Sequence, residues 1–279
     1  MTPRSESLEI ALKTLWGASR WPGLAESSVV VAHPGWQEAM KRLDQLAAVR
    51  SSGILHGAHG TGKSALLHRW TTRLSAKQYR ILRIAHSSLQ GADLLRQMVK
   101  LGGRTPQYRR GDNVLALGEI WQEWAPAWPI VIVEEAQDIN TAALEELRLL
   151  TCGRADATPP FSLILCGDTE LMPRLNLGIN QALLSRLGYC LRLDRWPPEI
   201  LKQYLAERLA EVGIHSSPLE SAAEALLIQS ANGTPRAVNT LLQRSLEQAA
   251  MGQRRNVTTA DVQAALDLLP WLARNRTEP

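Results

Sequence analysis

No apolar run in the 279-residue sequence approaches the ~20 residues that a membrane-spanning helix needs. Residues 1–10 carry acids and no hydrophobic signal core, so a secretory leader is not indicated either. Cysteine is scarce: the three present are odd in number and widely spaced among apolar residues, which argues against a disulfide framework or a zinc site. We therefore expect a cytoplasmic protein with no membrane partner, in which Cys152, Cys166 and Cys190 are buried free thiols.

Apolar residues make up 45% of the chain, which is ample for a core in one large or two small domains. The net charge of +4 is modest, but it is unevenly distributed. Residues 69–110 hold ten Lys and Arg against one acid, whereas residues 111–170 hold eleven acids against two Arg. This segregation suggests a basic surface for a polyanion, an acidic surface for a complementary neighbour, or both. The alternative is that both are ordinary solvated faces.

The most specific motif runs from Gly57 to Ser64 and fits the phosphate-binding pattern Gly-x-x-x-x-Gly-Lys-Ser/Thr without a mismatch. A short apolar run at 53–56 precedes it as a predicted strand, and a helix with one apolar face follows it. In such a loop the backbone N–H groups turn inward around an anion, and the helix points its positive end at that anion. We expect the phosphates of a nucleotide to be bound by Gly57, His59, Gly60, Thr61, Gly62, Lys63 and Ser64.

Further apolar runs predict the other strands of a mainly parallel sheet. Residues 130–133 form a continuous apolar run, as expected of a strand buried on both faces, and the run ends in Glu134-Glu135. In phosphate-loop enzymes the strand with the metal-organising acid ends beside the loop, so these acids are the natural second nucleotide motif. Another buried strand, 161–166, leads to Gly167-Asp168-Thr169. The remaining predicted elements are strands at 79–85 and 189–193 and helices at 5–17, 36–49, 91–101, 112–124, 141–151 and 183–188.

Trp196-Pro197-Pro198 is a stiff break that we take as a domain boundary. Beyond it the pattern is only helical, with apolar stripes over 199–212, 218–230, 235–251 and 259–268. The predicted organisation is an N-terminal appendage at 1–28, a three-layer α/β nucleotide-binding core at 29–195, and a small helical lid domain with a short tail at 196–279.

An early phosphate loop, an acidic strand end and a helical lid with Gly233-Thr234-Pro235-Arg236 together resemble the AAA+ class of ATPases over residues 30–268. Within that class the sequence is most similar to the ExeA/MuB/TniB/TnsC group of secretion ATPases and transposition helper ATPases. This resemblance implies a P-loop AAA+ fold, with ATP and Mg²⁺ as cofactors. The matching pieces are His33 with its following helix, the phosphate loop, Val133–Gln137, Leu165–Leu171, Leu184–Leu187 and Gly233–Asn239.

The family pattern implies a role for each matching residue at the phosphates. Lys63 and Ser64 would bind phosphate and Mg²⁺, while Glu134 would organise the metal shell. Glu135 would polarise the attacking water. Glu134 departs from the pattern, because the family usually has Asp there. The additional methylene moves the carboxylate by roughly 1 Å, enough to slow catalysis without preventing binding, so we expect an ATPase with slow turnover.

Three further positions match the family pattern. Asp168 stands where a polar amide commonly senses the γ-phosphate, but a carboxylate donates no hydrogen bond unless protonated, which leaves Thr169 as an alternative sensor. Arg186 matches an arginine finger that reaches the next subunit's nucleotide, and the alternative for it is an ordinary surface ion pair. Arg236 matches the lid arginine that contacts nucleotide. A finger acting between subunits implies a homo-oligomer, either a closed ring or a helical filament.

The function implied by the resemblance is that of an ATP-dependent regulator of transposition, which assembles on double-stranded DNA and recruits or activates a transposase. Phosphate contacts of this kind tolerate any sequence and weaken strongly with salt. An ExeA-like secretion ATPase is one alternative, although such proteins append a membrane span and a wall-binding domain that are not found after Leu269. A switch that binds ATP with little hydrolysis is another. Related helpers place DNA-contacting loops just after the second strand, where this chain has Arg96, Lys100, Arg104, Arg109 and Arg110.

Overall fold

The structure, a computed structural model, describes residues 3–22, 31, 33–85, 90–152 and 159–274. It divides into a sheet unit, Pro34–Ala58 with Lys63–Asp194, and a helical unit, which contains His59–Gly62 and the described parts of Met1–His33 and Arg195–Pro279. The strands are β1 Ser52–Gly57, β2 Tyr79–Ile84, β3 Trp128–Val133, β4 Ser162–Gly167 and β5 Leu187–Leu193. The helices are α1 Pro3–Trp16, α2 Pro34–Ala48, α3 Lys63–Arg73, α4 Gly91–Leu101, α5 Arg110–Trp124, α6 Thr141–Thr151, α7 Leu171–Leu175, α8 Gln181–Leu184, α9 Pro198–Glu211, α10 Ser221–Ser230, α11 Pro235–Met251, α12 Thr259–Asp267 and α13 Pro270–Arg274.

The five strands form one sheet in the order β2-β3-β4-β1-β5, and every neighbouring pair is parallel. Parallel strands need a crossover between them, and α3 to α6 supply long crossovers in this sheet. All carboxyl ends therefore lie at one edge, where β1 leads into the phosphate loop and β3 leads into Glu134. In open α/β sheets ligands bind outside this edge.

Side chains of β3 alternate between two apolar cores because successive residues of a strand point to opposite faces. Val131 and Val133 pack in the core with α4, α5 and α6, whereas Ile130 and Ile132 pack in the core with α2 and α3. Both faces of the sheet are thus covered by helices. The predicted three-layer α/β core with a mainly parallel sheet is confirmed.

The helical unit consists of α9 to α13 together with α1. Leu12 of α1 is buried, and the Trp16 indole Nε1 donates to the Arg255 carbonyl at 2.8 Å. The helix that the sequence separates as an appendage therefore packs with the C-terminal helices. Among the described residues, no helix is long and apolar enough to cross a bilayer.

Several local expectations differ from the structure. A helix was predicted over 183–188, but α8 ends at Leu184 and β5 already begins at Leu187. Residues 185–188 are therefore not helical. The helix predicted at 218–230 begins only at Ser221. Leu219, which precedes it, forms an isolated parallel bridge with Val257 instead. Cys152 and Cys190 are free but exposed, and only Cys166 is buried as expected. The predicted domain boundary between residues 28 and 29 lies outside the described residues.

Candidate nucleotide-binding site

The phosphate loop follows β1 and leads directly into α3. At Gly57 a Cβ atom would lie 2.2 Å from the Leu193 carbonyl oxygen of β5, so only glycine fits this close approach. Gly60 has φ +77°, a left-handed conformation that side chains rarely adopt. Residues 59–62 form the turn itself, in which Thr61 is buried and His59 is exposed. The predicted strand, loop and helix are thus present in this order.

Lys63, the first residue of α3, is buried and turns back over the loop. Its Nζ donates to the carbonyl oxygens of Gly57 at 2.7 Å and Ala58 at 3.0 Å. An ammonium group can only donate hydrogen bonds, and these two contacts hold it against the carbonyls at the end of β1.

The turn 59–62 is held by residues of the helical unit. The Trp196 indole Nε1 donates to the Thr61 carbonyl at 3.1 Å. A Cβ atom at Gly60 would lie 3.1 Å from the Arg236 Cβ, and the Arg236 backbone N–H donates to the Gly60 carbonyl at 3.5 Å. The predicted lid arginine is thus adjacent to the loop through its backbone, with an exposed side chain.

Trp196 is itself fixed by two rings of the same unit. Its ring centroid lies 4.9 Å from that of His33 and 5.6 Å from that of Tyr204, the second in an edge-on arrangement. Burial lowers the pKa of His33, which favours the neutral imidazole in this apolar stack. His33, Trp196 and the phosphate turn therefore form one packed cluster. The sequence contains the matching His33 motif, but the role of Trp196 was not predicted.

Glu134 lies at the end of β3 and is buried. The Arg83 Nε donates to Glu134 Oε1, and the Arg83 Nη2 donates to the Ser64 carbonyl at 3.2 Å. Burial raises the pKa of Glu134, but the interactions with Arg83 and Ser64 outweigh burial and hold the pKa below its ordinary value. The carboxylate is therefore ionised at neutral pH and joined to the first turn of α3, although β4 lies between β1 and β3 in the sheet.

Glu135 is exposed and has φ +48°, in the left-handed region that is uncommon for residues other than glycine. The Gln137 side chain donates from Nε2 to Glu135 Oε2 at 2.8 Å, and its Oε1 accepts the Asp168 N–H at 3.2 Å. Gln137 thereby connects the predicted catalytic acid with the end of β4. Strained backbone of this kind is common at functional sites.

Asp168 is buried at the carboxyl end of β4. Its Oδ1 accepts the Glu170 backbone N–H at 2.8 Å, in a short turn that also exposes Thr169. Both candidate γ-phosphate sensors thus lie at the same edge of the sheet as Glu134 and Glu135. The assignment between Asp168 and Thr169 stays a prediction.

Oxygen ligands for a metal are limited to a few side chains at this edge. Among the described residues, no cluster of three or more His, Cys, Asp and Glu could hold a metal ion by itself. Mg²⁺ commonly keeps several waters and takes one or two protein oxygens together with the phosphates of its nucleotide. The Ser64 hydroxyl and the Glu134 carboxylate fit such a donor set, because both are oxygen ligands and Arg83 joins Glu134 to the Ser64 backbone.

Arg186 lies at the opposite edge of the sheet. Ser52 pairs with Leu187 and Gly57 pairs with Leu193, so Arg186 precedes β5 at the amino edge while Lys63 follows β1 at the carboxyl edge. Six residues of strand correspond to roughly 20 Å. The Arg186 guanidinium is exposed and donates to the Ala182 carbonyl and to Cys152 Sγ, and no acid pairs with it within the described part of the chain.

The predicted DNA-contacting residues fall into two groups. Three of them pair with acids of this chain: Arg96 with Asp93, Arg104 with Glu119 and Glu123, and Arg110 with Glu146. Lys100 and Arg109 are exposed, and no ion pair of either is found among the described residues. The basic and acidic sequence segments therefore neutralise each other in part, and the free basic surface is smaller than charge counting suggests.

Arg83 and Gln137, like Trp196, escaped sequence reasoning. Arg83 is one of two arginines in β2, with Arg80, and only its contact with Glu134 distinguishes it. Gln137 follows Glu135 in the quoted motif, but its contacts depend on β4, which is remote in sequence. Only the three-dimensional structure brings these partners together.

Comparison with known proteins identifies similar sequences and similar folds. Residues 47–175 match the family described as AAA domain. General secretion pathway protein A from Aeromonas hydrophila is 26% identical over 136 residues, which are 49% of this chain. The aligned part spans only 25% of that relative's length.

Solved structures share the fold over most of the chain. ORC2 of Aeropyrum pernix, solved as ADPNP-ADP complexes, is 18% identical and has a TM-score of 0.64, covering 90% of this chain and 72% of its own. Cdc6p of Pyrobaculum aerophilum is 15% identical with a TM-score of 0.70, covering 90% and 71%. The RuvB Holliday junction branch migration motor of Thermotoga maritima is 18% identical with a TM-score of 0.56, covering 86% and 70%. Residues 47–175 are therefore similar to the AAA domain family, and the chain has the P-loop AAA+ fold with a helical C-terminal part.

Proposed function

We propose that this protein is an ATP-dependent, DNA-binding AAA+ regulator of transposition, which oligomerises on double-stranded DNA and recruits or activates a transposase. The observation that carries the nucleotide part is the buried, ionised Glu134, which Arg83 joins to the Ser64 carbonyl in the first turn of the helix after the phosphate loop. The similar ORC2 was solved as complexes with ADPNP and ADP, in keeping with an adenine nucleotide. ATP with Mg²⁺ would supply the phosphoanhydride bond that is cleaved.

The residues that would hold the nucleotide are those of the loop. Lys63 offers an ammonium to the β- and γ-phosphates, and the N–H groups of 59–62 and of the first turn of α3 complete the cradle. Ser64 and Glu134 would hold the metal. Arg236 lies next to Gly60 and would contact the phosphates with its exposed side chain.

Hydrolysis would depend on Glu135, which we propose polarises the attacking water. Its carboxylate is exposed and accepts a hydrogen bond from the Gln137 side chain. The Gln137 Oε1 also accepts the N–H of Asp168, so Gln137 contacts both the proposed base and the proposed γ-phosphate sensor. Glu134 in place of the usual Asp favours slow turnover. ATP binding would then serve mainly as the signal for assembly.

Oligomerisation is motivated by the position of Arg186. Because it lies at the amino edge of the sheet, within one chain it is on the far side from Lys63. Its exposed guanidinium would instead reach the nucleotide of a neighbouring copy, where it would offset charge developing on the γ-phosphate. Such a head-to-tail contact closes into a ring or continues as a filament.

The loop between α4 and α5 would contact DNA. The buried Asn113 side chain holds this loop by accepting the Gln107 N–H at 2.8 Å and donating to the Gln107 carbonyl at 2.8 Å. Arg96 donates to the Tyr108 carbonyl at 3.3 Å. The result is a braced loop that presents Tyr108, 90% exposed, next to Arg109, with exposed Lys100 on α4. An aromatic ring and exposed cations on a braced loop suit a nucleic acid backbone.

The paired residues have a different task in this proposal. Arg104 and Arg110 join α5 and its preceding loop to acids on α5 and α6, so they would support the loop rather than contact DNA directly. This separates the predicted DNA-binding set into contacting residues, Lys100 and Arg109, and supporting residues, Arg96, Arg104 and Arg110.

A secretion-associated ATPase is the second candidate, and the similarity to General secretion pathway protein A favours it. The two functions separate in one experiment, the fluorescence anisotropy of a labelled duplex titrated with the protein at low salt. The transposition proposal expects binding that tightens with ATP over ADP. Absence of binding with either nucleotide would contradict it and leave the secretion function as the better account.

A further inference from the structure

Arg83 places a cation inside the proposed nucleotide site. It lies one residue before the end of β2, and its side chain is 30% exposed. Its Nε donates to Glu134 Oε1, while its Nη2 donates to the Ser64 carbonyl at 3.2 Å. One guanidinium thus contacts both the acid at the end of β3 and the first turn of the helix that follows the phosphate loop.

This arrangement has an electrostatic reason. A buried carboxylate is costly unless it is paired, and the planar guanidinium fork can satisfy a carboxylate and a carbonyl at the same time. No other Lys or Arg pairs with Glu134 within the described residues. A fixed positive charge therefore already neutralises the acid that would otherwise depend on a metal ion.

We propose that Arg83 is a positioning residue of the nucleotide site, which acts as a built-in cation at Glu134 and makes nucleotide binding nearly independent of Mg²⁺. This inference rests on the proposed function, since it concerns the same site. Without a cation at Glu134, the carboxylate would repel the β- and γ-phosphates, and Mg²⁺ would be needed to offset that repulsion. With Arg83 in place, Mg²⁺ must displace the guanidinium from Oε1 or share the carboxylate with it.

The test compares the affinity of the full chain for a fluorescent ATP analogue in Mg²⁺ and in EDTA. In the wild-type protein we expect the two dissociation constants to agree within about threefold, because Arg83 already supplies the charge. In Arg83→Gln the dissociation constant in EDTA should exceed that in Mg²⁺ by about tenfold or more, because the repulsion is no longer offset. The ratio is the readout, since a general loss of folded protein would lower both affinities together.

Two further variants make the result specific. Arg83→Lys keeps the charge and should keep the wild-type ratio even if its melting temperature falls. Arg80→Gln removes an exposed charge three positions earlier on the same strand and should leave the ratio unchanged. If Arg83→Gln does not fold, the inference is tested by the ratio of the dissociation constants in EDTA and in Mg²⁺ for the wild type and for Arg83→Lys.

Each outcome has a distinct meaning. A wild-type protein that binds more than about threefold more tightly with Mg²⁺ would overturn the inference while leaving the nucleotide site intact. An unchanged ratio in Arg83→Gln would overturn it as well. Failure to bind the analogue under both conditions would overturn both this inference and the proposed function.

Discussion

The carboxyl edge of the sheet and the surface of α4 and α5 both concentrate charge, but they use it differently. At the carboxyl edge Glu134 is buried and paired with Arg83, so its carboxylate has a fixed partner. On α4 and α5 the charges are largely exposed, and Arg104 and Arg110 pair with acids in contact with solvent. Exposed pairs contribute little to stability and are screened by salt, whereas a broken buried pair is costly.

This difference between paired and unpaired charges indicates which residues are available to bind a partner molecule. Buried and fixed charges lie at the proposed nucleotide site, where the sequence motifs predict Lys63 and Glu134 but not Arg83. On the exposed surface, Lys100 and Arg109 form no ion pair within the described part of the chain. They are therefore better candidates for contacting DNA than the paired arginines. The following predictions test this contrast.

The largest expected effect is at Glu135. Glu135→Gln removes the proposed base while keeping shape, and the rate of ATP hydrolysis should fall about a hundredfold or more, as for loss of general-base catalysis. Affinity for ATP should change little. Steady-state phosphate release measures the rate, and Glu170→Gln, an exposed acid at the same edge, is the matched control. Equal hydrolysis by Glu135→Gln and wild type would show that another group activates the water.

Lys63→Ala should weaken ATP binding by roughly thirtyfold, because the ammonium over Gly57 and Ala58 is lost where the phosphates would bind. Isothermal titration calorimetry measures the affinity. Lys77→Ala removes an exposed lysine between α3 and β2 and should bind ATP normally. Normal affinity in Lys63→Ala as well would place the nucleotide elsewhere.

Substitutions on the surface of α4 and α5 should have a smaller effect, on DNA binding, and should distinguish unpaired from paired cations. Replacing Lys100 and Arg109 together by Ala should weaken duplex binding and lower the slope of log affinity against log salt by about 2, as two phosphate contacts are lost. Arg104→Ala should leave that slope unchanged, because its guanidinium is paired with Glu119 and Glu123. Anisotropy titrations over a series of salt concentrations distinguish them. A larger slope change for Arg104→Ala would reverse the assignment.

The smallest effect concerns alkaline stability. Burial, with a smaller contribution from the charge of Glu134, raises the pKa of the Cys166 thiol from 9.0 to about 12. The unfolded chain loses this proton first, so the contribution of Cys166 to stability is complete below pH 9 and is lost as pH rises towards 12.

Urea denaturation between about pH 8 and 10.5 measures this loss. Wild-type protein should lose up to about 1.4 kcal/mol per pH unit more than Cys166→Ala over the upper part of this range. Cys152→Ala removes an exposed thiol and should follow the wild-type curve. Parallel curves for wild type and Cys166→Ala would show that Cys166 titrates normally.

Local patterns predict much of this fold because they depend on nearby residues. Helices Gly91–Leu101, Thr141–Thr151 and Pro235–Met251 have the bounds that apolar periodicity predicts. The phosphate loop is equally local, since strand, turn and helix are contiguous. Arg186 was expected in a helix, but strand pairing of Leu187 with Ser52 begins before the helical pattern ends.

Features that depend on distant contacts were missed. Leu115 belongs to the apolar residues of α5, yet it is 69% exposed because Asn113, Leu117 and Ile120 form the buried side of that helix. Thr234 precedes α11 and is a residue type that commonly caps helices, but its hydroxyl donates to the Ala231 carbonyl at 2.9 Å and makes no capping hydrogen bond. Arg104 pairs with acids of α5 because the preceding loop packs against that helix. Counting charges along the sequence does not reveal such a contact.

The most direct test of the central claim is electron microscopy of the full chain with duplex DNA at low salt, with ATP and without nucleotide. We predict rings or helical filaments on DNA that form with ATP and are lost without it. DNA that remains bare in the presence of ATP would contradict the account.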